Sequence, residues 1–279
     1  MSSKNTAKET LLILEKGGFI NPSGTWIDLK NELKNAVDNT LLYTPDHLAN
    51  LLRRSSGKGK SCIKFEVSSE TTQASAHRLV TKEKVSDLVL LNFASARNVG
   101  GGFLNGAKAQ EEDLARCSGL YSCLLTQPEY YEANRRQTSL LYTDHIIYSP
   151  NVPWFRINSH DAPDQLFLAS VITAPAPNAG QFLLQKQGNP SQIEKCLKRR
   201  CGMILAVAKE NNHRNLLLGA WGCGVFRNDP DTVADAFAGW LESDFSDDFD
   251  RVVFAVYENS DHGNNRKAFH NRFPGKLLE

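Results

Sequence analysis

Three consecutive glycines constrain this chain more than any other feature in it. Gly100, Gly101 and Gly102 follow an apolar run at residues 88–91, and after seven intervening residues the chain presents Gln110, Glu111 and Glu112. The surrounding stretch, NFASARNVGGGFLNGAKAQEEDLARCSGLYSCL at residues 92–124, reads as the end of a buried strand, a loop, and a helix that opens with acids. Without Cβ atoms in the way, successive backbone N–H groups can turn toward one point and form a concave site for anionic oxygen. Three glycines alone also fit a tight turn or a linker. No Gly-Lys-Ser/Thr follows, which excludes a P-loop, and the spacing is not that of a dinucleotide fingerprint opening directly into a helix.

Glu111 and Glu112 are adjacent, so on a helix they point about 100 degrees apart. That spacing gives them different jobs rather than making them a converging pair. Acids in a first helical turn commonly do no more than stabilise the helix dipole. Beside a glycine loop, a partly desolvated carboxyl could instead have its pKa raised and serve as a general acid. The residues by themselves leave both readings open.

The rest of the chain puts this stretch in a frame. Up to residue 54 the pattern is helical: Leu11, Leu12 and Leu14, then Leu29, Leu33 and Val37, recur at three- and four-residue spacing. Asn21-Pro22-Ser23-Gly24 separates the first two helices, and Thr44-Pro45-Asp46 marks a helix start with proline at the first helical position. A basic stretch at residues 53–60 closes this all-helical segment, and it fits a solvated loop as well as a phosphate-contacting patch. Beyond it, strands are expected at residues 62–67, 88–93, 145–148, 167–174, 216–220 and 252–257, with helices at 70–81, 191–211, 229–242 and near 264–272.

Alternating strands and helices imply a mostly parallel sheet with helices on both faces. Ligands of such sheets gather at the carboxyl ends of the strands. Four unusual loops then share one rim: the triple-glycine loop, APAPNAG at 174–180, WGCGVF at 221–226, and Glu258-Asn259-Ser260. In the third, Gly222, Cys223, Gly224, Val225 and Phe226 lead to Asp229-Pro230, which start a helix. Two glycine loops on one rim suggest a diphosphate gripped from two sides. Phe226 could stack on a sugar or base, or simply belong to the core.

Composition narrows the partners. With 32 Lys plus Arg against 31 Asp plus Glu, no global field marks a nucleic-acid or membrane binder, so a polyanionic ligand must be held by local features. Residues 1–8 are polar and charged, and no run of about 18 apolar residues occurs, so the expected location is cytoplasmic, or nuclear in a eukaryote. The six cysteines form no Cys-x-x-Cys pair and read as reduced core thiols, and the seven histidines show no zinc-ligand spacing. No metal is inferred.

Gly100-Gly101-Gly102, seven residues, then Gln110-Glu111-Glu112 resembles the signature of poly(ADP-ribose) glycohydrolases, whose catalytic domain is a macrodomain. NFASARNVGGGF, the downstream SGLY, VITAPAPNAG and LLLGAWGCGVFRNDP resemble the bacterial-type branch, and the likeness runs over nearly the whole chain. The resemblance implies a macrodomain-like three-layer α/β/α fold with a mostly parallel mixed central sheet. It implies an N-terminal helical extension at residues 1–60, docked on a catalytic domain at 61–279. Glu112 would protonate the leaving oxygen of the ribose–ribose O-glycosidic bond and then, as carboxylate, activate water. Glu111 would hold ribose hydroxyls on the leaving side, and Gln110 would orient the acids. Gly100, Gly101 and Gly102 with Phe103 would wrap the terminal ribose and diphosphate. Residues 222–226 would form the second diphosphate loop, with Phe226 packing on the ribose, and Asn98 would bond a ribose hydroxyl. Residues 257–259 lie at a strand end suited to adenine.

No cofactor is implied. The partners implied are poly(ADP-ribose) or ADP-ribosylated macromolecules, with ADP-ribose released mainly from chain ends by a monomer. Two alternatives remain at this point: a macrodomain reader that binds ADP-ribose without hydrolysis, and a hydrolase for mono-ADP-ribose on protein or nucleic acid. The intact acid pair speaks against the reader, since binding alone needs no acid there.

Overall fold

The computed structural model describes residues 2–55, 63–158, 165–258, 263–274 and 276–278. In chain order its elements are α1 (Ser3–Lys16), β1 (Gly18–Ile20), β2 (Trp26–Asp28), α2 (Lys30–Asp38), β3 (Leu41–Tyr43), α3 (Pro45–Arg54), β4 (Lys64–Ser68) and α4 (Thr72–His77). A π-helical turn, Arg78–Lys82, leads to β5 (Leu88–Phe93), and a short 3-10 turn, Phe103–Asn105, precedes α5 (Gln110–Cys117). Then come α6 (Leu120–Leu125), α7 (Pro128–Arg136), β6 (Ile146–Trp154), β7 (Phe167–Ala174), α8 (Ala179–Leu184) and α9 (Pro190–Glu210). The chain finishes with β8 (Asn215–Gly219), α10 (Pro230–Leu241), β9 (Arg251–Ala255), α11 (Asn264–Arg272) and β10 (Lys276–Leu278).

Eight strands form one sheet in the order β10-β4-β9-β8-β5-β7-β6-β3. The strands from β10 to β7 are parallel, while β6 and β3 run antiparallel at one edge. Because side chains alternate along a strand, β5 feeds two cores. Val89 and Leu91 join Leu48, Leu197, Phe237 and Phe269 on the face covered by α3, α9, α10 and α11. Leu88 and Leu90 join Ala36, Ala76, Leu114 and Tyr131 on the face covered by α2, α4, α5 and α7. This is the three-layer, mostly parallel mixed α/β/α arrangement implied by the resemblance.

The N-terminal segment departs from the all-helical expectation. Asn21-Pro22-Ser23-Gly24 does not join two helices but turns a hairpin, in which β1 pairs antiparallel with β2. Asn21 Oδ1 accepts from Ser23 Oγ and Thr25 N, both at 2.8 Å, and closes that turn. The third strand, β3, pairs with β6 and extends the main sheet. Runs of three residues are too short for periodicity to distinguish strand from helix. The start of α3 follows the sequence closely, with Thr44 as N-cap and Pro45 in the first turn. Of the basic run, residues from Ser56 onward lie outside the described residues, as do Cys62, Asn259 and Ser260. Among the described residues, no helix is long and apolar enough to cross a membrane.

Candidate active site

The site starts where β5 loses a neighbour. Its pairing with β8 ends at Leu90 opposite Leu217, whereas its pairing with β7 continues to Phe93 opposite Ala174. The vacated edge would leave backbone groups unpaired. The side chain of Gln110 fills it: Oε1 accepts from Phe93 N at 2.8 Å and Nε2 donates to Leu91 O at 2.8 Å and to Thr72 Oγ1 at 3.2 Å. Gln110 thus fastens the first turn of α5 to the end of the central strand.

That anchor fixes the two acids which follow. Glu111 is 2 % exposed; its Oε2 accepts from Ser95 N at 2.7 Å and its Oε1 from Asn92 Nδ2 at 3.1 Å. Glu112 is 8 % exposed; its Oε1 accepts from Gly102 N at 2.7 Å and its Oε2 from Ala109 N at 3.1 Å. Burial pushes the Glu111 carboxyl up to about 8, against the two hydrogen bonds that favour its charge and helped by the neighbouring Glu112.

The acids, expected to do different jobs, have different hydrogen-bond partners, but the expectation that they do not converge is wrong. A methyl group on Gly101 would run into Glu112 Oε1 and lie 3.0 Å from Glu111 Oε2. Both carboxyls therefore close on the same point. The side chains of adjacent helical residues can do this because each is drawn toward a different part of the same winding loop.

The loop itself requires its glycines. Gly100 and Gly101 have φ of +62° and +60°, the left-handed region. Gly101 N donates to Asn98 O at 3.0 Å, and Asn98 N donates to Ser95 Oγ at 3.1 Å. One turn thus runs from the residue that holds Glu111 to the residues beside Glu112. Asn98 is exposed on it.

Phe103 does not line the cavity side of the loop as the resemblance implies. It is fully buried among Ala7, Ala115 and the Tyr121 ring, whose centroid is 5.0 Å away, so its side chain serves packing. Tyr121, half-buried, is the aromatic against the glycines: a methyl group on Gly100 would come within 2.9 Å of its Cδ2.

Helix α1 braces this assembly from outside. Ala7 packs on Phe103 and Ala115, and Thr10 Oγ1 donates to Arg116 O at 2.8 Å. Arg156 Nη1 bridges Thr10 Oγ1 and Arg116 O at 2.6 and 2.9 Å. Buried Arg116 in turn donates from Nη1 to Ala107 O, 2.8 Å away in the segment linking the glycines to α5.

The second glycine loop follows β8. Gly222 has φ of +75°, and Asn228 Nδ2 ties the loop together by donating to Gly222 O at 3.0 Å and to Pro177 O at 2.8 Å. Gly180 N donates to Phe226 O at 2.9 Å, which ties the loop to the segment after β7. Gly224 and Val225 are exposed, the latter 82 %. Cys223 is half-buried, and burial pushes its thiol up to about 12. Phe226 is half-buried with its ring centroid 6.0 Å from that of Tyr142.

Tyr142 is a residue the sequence reading misses. Its φ of 59° is unusual for a side-chain-bearing residue, and buried Arg200 holds the segment around it by donating to Leu141 O at 3.1 Å, Asp144 Oδ1 at 2.8 Å and Pro175 O at 2.6 Å. Asn92 and Ser95 are missed too. A polar residue in an apolar strand, as Asn92 is, was the available signal. At the fourth loop Tyr257 is 61 % exposed, while Glu258 accepts from Asn265 N and Arg266 N and caps α11.

A macrodomain-like α/β/α scaffold carrying a converging carboxyl pair on a glycine loop is the frame of a hydrolase. The chain belongs to the microbial-type poly(ADP-ribose) glycohydrolase family: residues 7–157 match the family described as "Microbial-type PARG, catalytic domain". Among solved structures, it is similar to poly(ADP-ribose) glycohydrolase from Thermomonospora curvata, with 42 % identity over 97 % of this chain and 99 % of that one and a TM-score of 0.92. The same protein bound to the inhibitor ADP-HPD gives 42 % identity over 97 % and 99 % of the two chains and a TM-score of 0.90. Poly(ADP-ribose) glycohydrolase from Deinococcus radiodurans in complex with ADP-ribose gives 43 % identity over 87 % and 96 % and a TM-score of 0.80. No match was found among curated proteins.

Proposed function

We propose that this chain hydrolyses the ribose–ribose O-glycosidic bond of poly(ADP-ribose) and releases ADP-ribose, with Glu112 as the proton-transferring residue. The observation that carries the assignment is the meeting of Glu111 and Glu112 over Gly101, with Glu112 fixed through both oxygens by Gly102 N and Ala109 N. Glu112 is the more exposed of the two, 8 % against 2 %, and so the one able to reach a leaving oxygen. Glu111, raised to about 8, keeps a proton at neutral pH and can donate to a ribose oxygen. Glu112 gives a proton to the leaving oxygen as an oxocarbenium-like centre forms, then takes one from the attacking water. One group acting as acid and then base differs from the usual two-carboxylate arrangement.

The diphosphate of the terminal unit lies between the glycine loops at residues 100–102 and 222–226, a reading supported by the left-handed backbone of Gly100, Gly101 and Gly222. Asn98 and Phe226 contact the ribose. Residues 1–60 serve as an extension docked on the catalytic part, 61–279; the pairing of β3 with β6 and the contacts of Thr10 with Arg116 support this. Replacing Glu112 tests the reading. Glu112→Gln should lower ADP-ribose release by several orders of magnitude while ADP-ribose still binds, and near-normal release would exclude Glu112 as the acid.

A further inference from the structure

Tyr142 holds a backbone conformation that its side chain does not favour, and its neighbours keep it there. Its φ of 59° lies in the left-handed region, where a bulky residue is an outlier. Tyr142 N donates to Ser139 O at 3.2 Å, and Thr143 N donates to Asn134 Oδ1 at 2.9 Å. Fully buried Arg200 holds Leu141 O and Asp144 on either side of it and reaches Pro175 O beyond β7. Strained backbone persists only where the surroundings over-determine it, and it clusters where a side chain has to be aimed.

The Tyr142 ring is aimed at Phe226, and both residues hang from one segment. Asn178 N donates to Leu140 O at 2.9 Å, two residues before Tyr142, and Gly180 N donates to Phe226 O at 2.9 Å. Arg227, next after Phe226, is itself left-handed with φ of 57°. The rim loop at residues 174–180 thereby fixes the spacing of the two aromatics, whose centroids are 6.0 Å apart. Tyr142 also meets the first glycine loop's side of the site. The Arg97 guanidinium lies 5.9 Å from its ring centroid, on the turn that begins with Ser95, whose N–H holds Glu111. One ring therefore touches both the phenylalanine assigned to the sugar and the turn that carries an acid.

We propose that Tyr142 is a positioning residue: its ring backs Phe226 and sets where the terminal ribose stands relative to the acid pair. This rests on the glycohydrolase reading, with Phe226 as a ribose contact. The test is a double-mutant cycle on ADP-ribose release from poly(ADP-ribose). Tyr142→Asn deletes the ring with a residue at home in the left-handed region. It should lower kcat by about tenfold or more, since small misplacements at a reacting centre are costly. Tyr142→Phe keeps the ring and should stay within about twofold of wild type, the scatter of an uninvolved group. In a Phe226→Ala background, Tyr142→Asn should cost no more than about a further twofold, because residues that act through one another are not additive. The same loss in both backgrounds would make Tyr142 a support of the fold and overturn the proposal. Tyr142→Phe falling as far as Tyr142→Asn would move the effect to the hydroxyl and overturn it too. Phe226→Ala that releases ADP-ribose like wild type would overturn the ribose contact and the proposal with it. Wild-type protein that leaves polymer uncut would overturn the glycohydrolase reading itself.

Discussion

The two glycine loops resemble each other in sequence but are held in opposite ways. Around Gly101 the space is full: where a Cβ would stand, Glu112 and Glu111 already present their oxygens. Behind that loop lie buried Phe103 and helix α1, tied to α5 through Thr10 and Arg156. In the second loop only the base is crowded. Gly222 has a left-handed φ and presses on Ala176 and Asn228, but nothing lies within 4 Å of where a Cβ on Gly224 would be. The first loop needs its glycine in order to fold around its own acids. The second carries a glycine, Gly224, at which an added Cβ would meet no protein atom.

The largest expected effect comes from breaking this contrast on the full side. Gly101→Ala places a methyl group on Glu112 Oε1 and a side chain at φ +60°, which costs about 1–2 kcal/mol. The acids must then move, and displacements of about 1 Å at a reacting centre cost about a hundredfold or more. Steady-state assays should show kcat lowered at least that far, with thermal unfolding shifted down by only a few degrees. A kcat within tenfold of wild type would mean that the pair does not depend on this loop geometry.

The central architecture was legible because each of its parts has a local pattern. The apolar run ending in glycine gave β5 and its loop, and the acids at 111 and 112 announced the first turn of α5. What faces what across the cleft was not legible. Asn92 and Ser95 meet Glu111 from 19 and 16 residues away, and Tyr142 meets Phe226 from still farther. Periodicity describes one element at a time, and these contacts depend on how the sheet orders its strands. Phe103 misled for the same reason: a residue next to the glycines in sequence faces away from them in space. The three short strands near the N-terminus carry too few residues for any period to appear.

A smaller effect tests how the full side is charged. Glu111 is raised from its ordinary 4.5 to about 8, chiefly by burial. Between those values the native state holds a proton that the unfolded chain has released. The contribution is therefore complete below about pH 4.5 and is lost as pH rises through about 8. Glu111→Gln removes this titration. Turning the Asn92 amide over would also pair its otherwise unpartnered Oδ1 with the new amide. Denaturant unfolding should find the variant gaining on wild type from pH 5 to 8.5, by on the order of a few kcal/mol. Parallel curves would place the proton elsewhere in the pair.

The smallest expected effect lies on the open side and separates the protein's needs from the ligand's. Gly224 is not among the left-handed glycines, and a methyl group there meets no protein atom. Gly224→Ala should thus leave thermal stability unchanged or raise it by about 0.4–1 kcal/mol, because the unfolded chain loses freedom. If the loop approaches a diphosphate through its backbone, the same methyl group stands in the ligand's place. ADP-ribose affinity, measured calorimetrically, should weaken by about tenfold, or 1.4 kcal/mol. Stability and affinity would then move in opposite directions, which a fault in folding cannot produce. Unchanged affinity would show that the diphosphate does not pass Gly224, and would leave the grip to Gly222 and the loop at residues 100–102.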